Sequence, residues 1–250
     1  MSTIETATGR FVWHEQVSGE PGKAKDFYTT LLGWGTEAMQ MGDSEYTMIS
    51  SGGQNHGGFG TAMEGAPPPH WLGHVQVADV DETVEKAKGA GGKLAAGPFD
   101  MPDVGRMAII GDPQGGYVSV FQPNEEGPLA EGVFVWDELG TSDADDAARF
   151  YGEVFGWTTE DMGPDYGGYR IFMRGDTRVG GLMALPDPSM PTGWLPYVGV
   201  DDADAAVAKA KGLGSSTIVE PVDVPNVGRF AVIADPQGAV FGVLRPEPQS

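Results

Sequence analysis

Glu15 and Glu138 each stand two residues after a tryptophan, in "VWHE" and "VWDE", so each carboxylate shares a strand face with an indole, Trp13 or Trp136. An apolar neighbour raises the pKa of a carboxyl group and suits it to general-base chemistry, whereas a glutamate bonded to a nearby loop has a structural role only. His74 and Tyr197, in "GHVQV" and "PYVGV", are the matching proton or hydrogen-bond donors, and a strand histidine also serves as an ordinary satisfied core residue. Trp13, Trp136, Trp71 and Trp194 supply flat walls for an aromatic ligand or, alternatively, plain packing surface. Arg106 and Arg229 follow glycine in "VGR" and offer a bidentate fork to a ligand carboxylate or phosphate, or a brace for Asp112 and Asp235. His14 faces the opposite side from Glu15, and His56 and His70, beside Gly and Pro, read as loop residues.

These residues come in pairs because the chain repeats itself. "GRMAIIGDPQGGYVSVFQP" from Gly105 and "GRFAVIADPQGAVFGVLRP" from Gly228 are 123 residues apart (228 − 105), and the same shift carries Phe27-Tyr28 to Phe150-Tyr151 and Gly33-Trp34 to Gly156-Trp157. It also carries Tyr46 to Tyr169, Gly57-Gly58 to Gly180-Gly181 and Asp79 to Asp202. So long a period exceeds that of solenoid repeats, and predicts two domains, each with its own core. The domains are 1–123 and 132–250, with a polar linker, 124–131, containing Pro and Gly.

Within each repeat the elements that must position the pairs follow from pattern. "RFVWHEQVS" is β-branched and aromatic, and "PGKAKDFYTTLLG" opens on Pro, spaces Ala24, Phe27, Tyr28, Leu31 and Leu32 for one helix face, and closes on Gly33. Its counterpart "SDADDAARFYGEVFG" adds Ser142 or Asp143 as N-cap. "SSGGQNHGGFG" reads as a flexible hairpin, because its glycines do not lie between a strand and a helix as a phosphate loop requires. "HWLGHVQVADV" is a further strand and "DETVEKAKGAGG" a helix capped by Asp81, and two last strands flank each "DPQG" turn. The reading is α+β, with four βαβββ units in all.

Four such units, the "FY…LGW" helix end and "DPQG" before the last strand resemble the vicinal oxygen chelate superfamily of glyoxalases, bleomycin-resistance proteins and extradiol dioxygenases. The "VWHE" and "VWDE" openings are similar to those of a tandem two-domain bacterial subgroup of glyoxalase- or hydroxylase-like proteins. The resemblance implies two glyoxalase-like domains, each a half-open curved sheet with helices outside and a small-molecule cavity inside. It also implies a divalent metal on the first and last strands of the paired units. Those places fall here on Trp13 and Trp136, Leu72 and Leu195, and Ser119 and Gly242, with a fourth near "GGFGTAM" and "GGLMALP". None is an imidazole or carboxylate, the donors a divalent cation needs, so the expectation is no cofactor, a metal held by displaced ligands being the alternative.

Composition narrows the partners. Fifteen Lys and Arg against 36 Asp and Glu give a formal charge of −21, which repels nucleic acid and anionic membrane surfaces. There is no cysteine for a disulfide, thiolate ligand or nucleophile. No run reaches the roughly 18 apolar residues of a membrane helix, so the expected setting is the cytoplasm, as a monomer or homodimer. The reading is a glyoxalase-like protein, metal-independent, that binds a small, partly apolar or aromatic metabolite. If it is an enzyme, a lyase or hydroxylase, Glu15 or Glu138 is the base and His74 or Tyr197 the donor. The alternatives are a non-catalytic drug or metabolite sequestration protein and a metal-dependent lyase or dioxygenase.

Overall fold

The computed structural model describes residues 7–41, 44–63, 65–125, 133–187 and 190–247. The first repeat runs β1 (Phe11–Ser18), α1 (Pro21–Leu32), β2 (Gly35–Met41), β3 (Ser44–Ser51) and β4 (Gln54–Thr61). It continues through β5 (His70–Gln76), α2 (Val80–Gly89), β6 (Lys93–Met101), β7 (Gly105–Gly111) and β8 (Tyr117–Pro123). The second runs β9 (Phe134–Thr141), α3 (Ala144–Phe155), β10 (Thr158–Asp161), β11 (Arg170–Arg174) and β12 (Thr177–Ala184). It closes with β13 (Gly193–Gly199), α4 (Ala203–Gly212), β14 (Ser216–Val224), β15 (Gly228–Ala234) and β16 (Val240–Pro246). These are four βαβββ units forming two open eight-stranded sheets, ordered β2-β3-β4-β1-β5-β8-β7-β6 and β10-β11-β12-β9-β13-β16-β15-β14. Most of the expected linker lies outside the described residues.

The helices form as their sequences dictate. In α1, Pro21 opens the helix, Ala24, Phe27, Tyr28 and Leu31 make the buried stripe, and Gly33 ends it at φ 72°, a left-handed conformation that glycine adopts without steric cost. In α3 the Asp143 carboxylate caps the backbone N–H groups of Asp145 and Asp146, a contribution of about 1 kcal/mol. The cap of α2 is Asp79, which accepts from Glu82 N, rather than the expected Asp81. Asp81 lies two residues on, within the first turn, and bonds outward to Arg106.

The described residues divide into two compact units, one drawn from 1–12, 73–129 and 136–194, the other from 13–72, 130–135 and 195–250. Each has its own apolar core. The first gathers Val75, Ile110, Val118 and Val120 of the first repeat with Phe150, Tyr151, Val154 and Phe172 of the second. The other gathers Phe27, Tyr28, Leu31 and Trp71 of the first repeat with Val198, Val207, Ile233 and Phe241 of the second. Strand pairing therefore follows the repeats, but packing does not. The expectation of one core per repeat is corrected: each core takes about half its apolar side chains from either repeat, and the buried stripe of α1 packs on β4 of its own repeat as well as on Phe241 and α4 of the other.

Candidate functional site

Strand β1 alternates, with His14, Gln16 and Ser18 on the buried face and Trp13, Glu15 and Val17 half-buried on the other. Strand β9 repeats this with Asp137, Leu139 and Thr141 buried, and Trp136 and Glu138 half-buried. His14 faces away from Glu15 as expected, and its ring stacks on Phe134 at 3.9 Å.

A tyrosine links each tryptophan to its glutamate. Trp13 Nε1 donates to the Tyr46 hydroxyl at 3.1 Å, and that hydroxyl donates to the Glu15 carboxylate. In the second repeat Trp136 Nε1 donates to Tyr169 at 2.8 Å, and Tyr169 donates to Glu138. The neighbouring strand makes room: a Cβ at Gly58 would overlap the Tyr46 hydroxyl, and one at Gly181 the Tyr169 hydroxyl. Burial pushes the Glu15 carboxyl above its ordinary range, and the Tyr46 hydrogen bond only partly offsets this. Tyr46 is pushed well above the usual phenol range, by burial and by the charge of Glu15, so it stays a donor at neutral pH. Burial and Glu138 do the same to Tyr169. The arrangement can accept a proton at a carboxylate whose orientation a permanent donor fixes. Tyr46 and Tyr169 were not singled out from sequence, although the repeat shift relates them.

His74 and Tyr197 occupy equivalent buried strand positions. His74 lies opposite Ser119 in the parallel β5–β8 pair, and Tyr197 opposite Gly242 in β13–β16. A Cβ at Gly242 would overlap the Tyr197 ring, so no side chain can project from that position past it.

Three expectations are corrected. Trp71 and Trp194 are packing residues rather than ligand walls: Trp71 is 5% exposed, Trp194 packs on the other core, and their indole N–H groups donate to Tyr28 and Tyr151, both at 2.9 Å. Arg106 and Arg229 do not brace Asp112 and Asp235. Arg106 spans Asp81 and Asp100, with Nη1 at 2.6 Å from Asp100, and Arg229 spans Asp204 and Asp223, with Nη1 at 2.8 Å from Asp223. Both forks are thus occupied on the surface by carboxylates of the protein itself. His56 and His70 are strand residues, His56 buried in β4 with Nε2 at 3.1 Å from Ser51 O, and His70 the first residue of β5.

The brace of each "DPQG" turn comes from tyrosine. Asp112 Oδ1 accepts from Gln114 N and Gly116 N at 2.9 and 2.8 Å, and its Oδ2 accepts from the Tyr151 hydroxyl at 3.0 Å. Asp235 accepts in the same way from Gln237 N, Ala239 N and Tyr28.

The family metal does not fit the residues at its positions. Trp13 and Trp136 have indole N–H groups already committed to tyrosines, Leu72 and Leu195 are alkyl, Ser119 has one hydroxyl and Gly242 has no side chain. Among the described residues no three His, Cys, Asp or Glu side chains cluster to hold an ion. A cavity of about 530 Å³, lined by Lys23, Ala24, Phe27, Pro69 and Gln237 among others, and one of about 310 Å³ beside Thr83, Lys86 and Phe155, lie at helix ends, and neither is lined by Glu15 or Glu138. No helix among the described residues is long and apolar enough to cross a membrane.

A family model described as "Glyoxalase/Bleomycin resistance protein/Dioxygenase superfamily" matches residues 10–120 and again 134–243. The chain is 41% identical over 247 residues to "Putative glyoxylase CFP32" of Mycobacterium tuberculosis (strain CDC 1551 / Oshkosh), covering 95% of each. It is 31% identical over 258 residues to "Anthracycline biosynthesis protein DauV" of Streptomyces sp. (strain C5), covering 95% of this chain and 94% of that one. Among solved structures, the Mn(II)-bound glyoxalase from Novosphingobium aromaticivorans aligns with a TM-score of 0.62 at 18% identity, over 96% of this chain and 82% of that one. The 2,3-dioxygenase LapB from Pseudomonas sp. KL28 aligns with a TM-score of 0.64 at 12% identity, over 98% and 95%. At such identities the structural likeness shows the fold alone.

Proposed function

The chain belongs to the glyoxalase/bleomycin resistance protein/dioxygenase superfamily, and on that premise we propose that it binds a small, partly apolar or aromatic metabolite without the family's metal and moves a proton on it. The observation that carries this reading is the relay built twice, from indole N–H to phenol to carboxylate, on the half-buried face of β1 and of β9. A carboxylate flanked by an indole and oriented by a phenol that stays protonated supports the reading of a general base. The glutamate takes a proton from an acidic C–H or O–H of the ligand, the electron pair stays on the ligand, and the same carboxyl returns the proton at a neighbouring atom. Relatives whose names refer to a glyoxylase and to anthracycline biosynthesis support small-molecule chemistry of this kind.

Metal analysis of protein purified without chelator tests the first half. Far less than one equivalent per repeat is expected, and one retained equivalent per repeat overturns it. A thermal-shift screen with the methylglyoxal–glutathione hemithioacetal and an anthracycline, followed by mass spectrometry of the bound compound, tests the second. The double variant E15Q/E138Q should bind the same compound and leave it unchanged. Undiminished turnover by that variant rejects the base, and a compound returned unchanged by the native protein identifies sequestration instead.

A further inference from the structure

The two relays differ at one place. Strand β4 pairs in parallel with β1, setting Glu15 opposite Gly58 and Val17 opposite Gly60. Gly58 and Gly60 share a strand face. The Tyr46 hydroxyl lies against Gly58 and the Glu15 carboxylate against Gly60, so closely that a Cβ at Gly60 would come within 2.5 Å of Glu15 Oε1. Strand β12 repeats the register against β9, with Glu138 opposite Gly181 and Gly140 opposite Met183. Gly181 preserves the seat of the tyrosine. Methionine replaces the second glycine, and its side chain projects on the face where Glu15 rests in the first repeat.

We infer that Gly60 is the positioning residue for the Glu15 carboxylate, and that Met183 denies Glu138 the same seat, so that only the first repeat holds its carboxylate flat on the sheet. This deepens the reading above by naming which of the two carboxylates is set as the proton acceptor. A chain of contacts carries it: Trp13 fixes the Tyr46 hydroxyl, Tyr46 donates to the carboxylate, and the bare backbone at Gly60 leaves the room in which Glu15 Oε1 lies. A flat seat removes the carboxylate from water, the cause that raises its proton affinity. Tyr46 is the titratable group bonded to Glu15, and it remains protonated throughout the range in which a carboxyl titrates.

The test uses the full chain without ligand, labelled with glutamate carrying ¹³C at the side-chain carboxyl, the two resonances being assigned from E15Q and E138Q. Glu15 should titrate separately from Glu138 and at higher pH. In G60A the added Cβ should lift the carboxylate off its seat and lower the Glu15 midpoint by about 1 pH unit or more. In M183G the Glu138 midpoint should rise towards that of Glu15. Coincident midpoints in the native chain, or a Glu15 midpoint unmoved in folded G60A, overturn the inference, since a merely structural glycine would change stability and leave the titration alone. Should G60A not fold, M183G decides: a stationary Glu138 overturns it. Failed binding or turnover would tell against the proposed function and leave these midpoints as they are.

Discussion

The protein builds the same donor chain, indole N–H to phenol to carboxylate, in two kinds of place with different consequences. In the cores, Trp71–Tyr28–Asp235 and Trp194–Tyr151–Asp112 join the two repeats, and one oxygen of each aspartate accepts two backbone N–H groups of its own turn. On the half-buried strand faces, Trp13–Tyr46–Glu15 and Trp136–Tyr169–Glu138 stay within one repeat. Residue types alone do not separate a brace from a site. What separates them is how much of the carboxylate's accepting capacity the backbone already uses, and whether the chain of bonds is closed inside a core.

The severest way to break the comparison is to separate the repeats. Residues 1–123 alone retain the whole of the first strand-face relay but lose Asp235, Phe241, Val207 and the other residues that the second repeat adds to the core around α1. Such a fragment should yield no folded monomer, read as loss of cooperative urea unfolding and of near-ultraviolet circular dichroism. A cooperatively folding monomeric fragment would show that the mixed cores are dispensable.

Next in size is D235A in the full chain. It leaves two turn N–H groups and the buried Tyr28 hydroxyl without their acceptor, and should cost about 2–4 kcal/mol in urea unfolding. E15Q leaves an amide oxygen to accept from the Tyr46 hydroxyl, and should change stability by less than about 1 kcal/mol while abolishing turnover. Equal losses of stability in the two variants would erase the distinction between brace and site.

The sequence made the sheets legible and left the cores unread, for a physical reason. The 123-residue shift and the apolar periodicity of α1 and α3 depend on local order, which fixes which strands pair within a repeat. Whether Tyr28 meets Asp112 or Asp235 is decided 207 residues away, and both aspartates sit in identical "DPQG" turns, so nothing local distinguishes them. The arginines misled in the same way, since Arg106 finds Asp81 across 25 residues instead of the aspartate next in its own strand–turn. Glu15 and Trp13 were readable as one face from their spacing. Tyr46 needed only the further step of asking why a tyrosine and a nearby Gly-Gly pair both recur at the repeat shift, the hydroxyl lying against the second glycine in each copy.

The smallest expected effect separates the two kinds of carboxylate by pH. Burial raises the Asp112 carboxyl above its ordinary range, against the pull of the turn N–H groups and the Tyr151 hydroxyl. A carboxyl whose folded pKa exceeds its unfolded value binds more protons when folded. Its favourable contribution is therefore complete below the unfolded value and is lost as pH rises through the folded one. Glu15 contributes with the same sign, while the surface carboxylates Asp81 and Asp204, depressed by their arginines, act in the opposite sense. Subtracting D112N from the native chain removes all of these common contributions. The native-minus-variant stability should fall with rising pH just above the ordinary aspartate range and then become level, because asparagine keeps a turn acceptor but cannot titrate. The corresponding difference for E15Q should have the same slope, and only there should the pH of the fall coincide with the midpoint for turnover. A turnover midpoint that follows Asp112 instead would place the working carboxylate in the brace and reverse the assignment of the two chains.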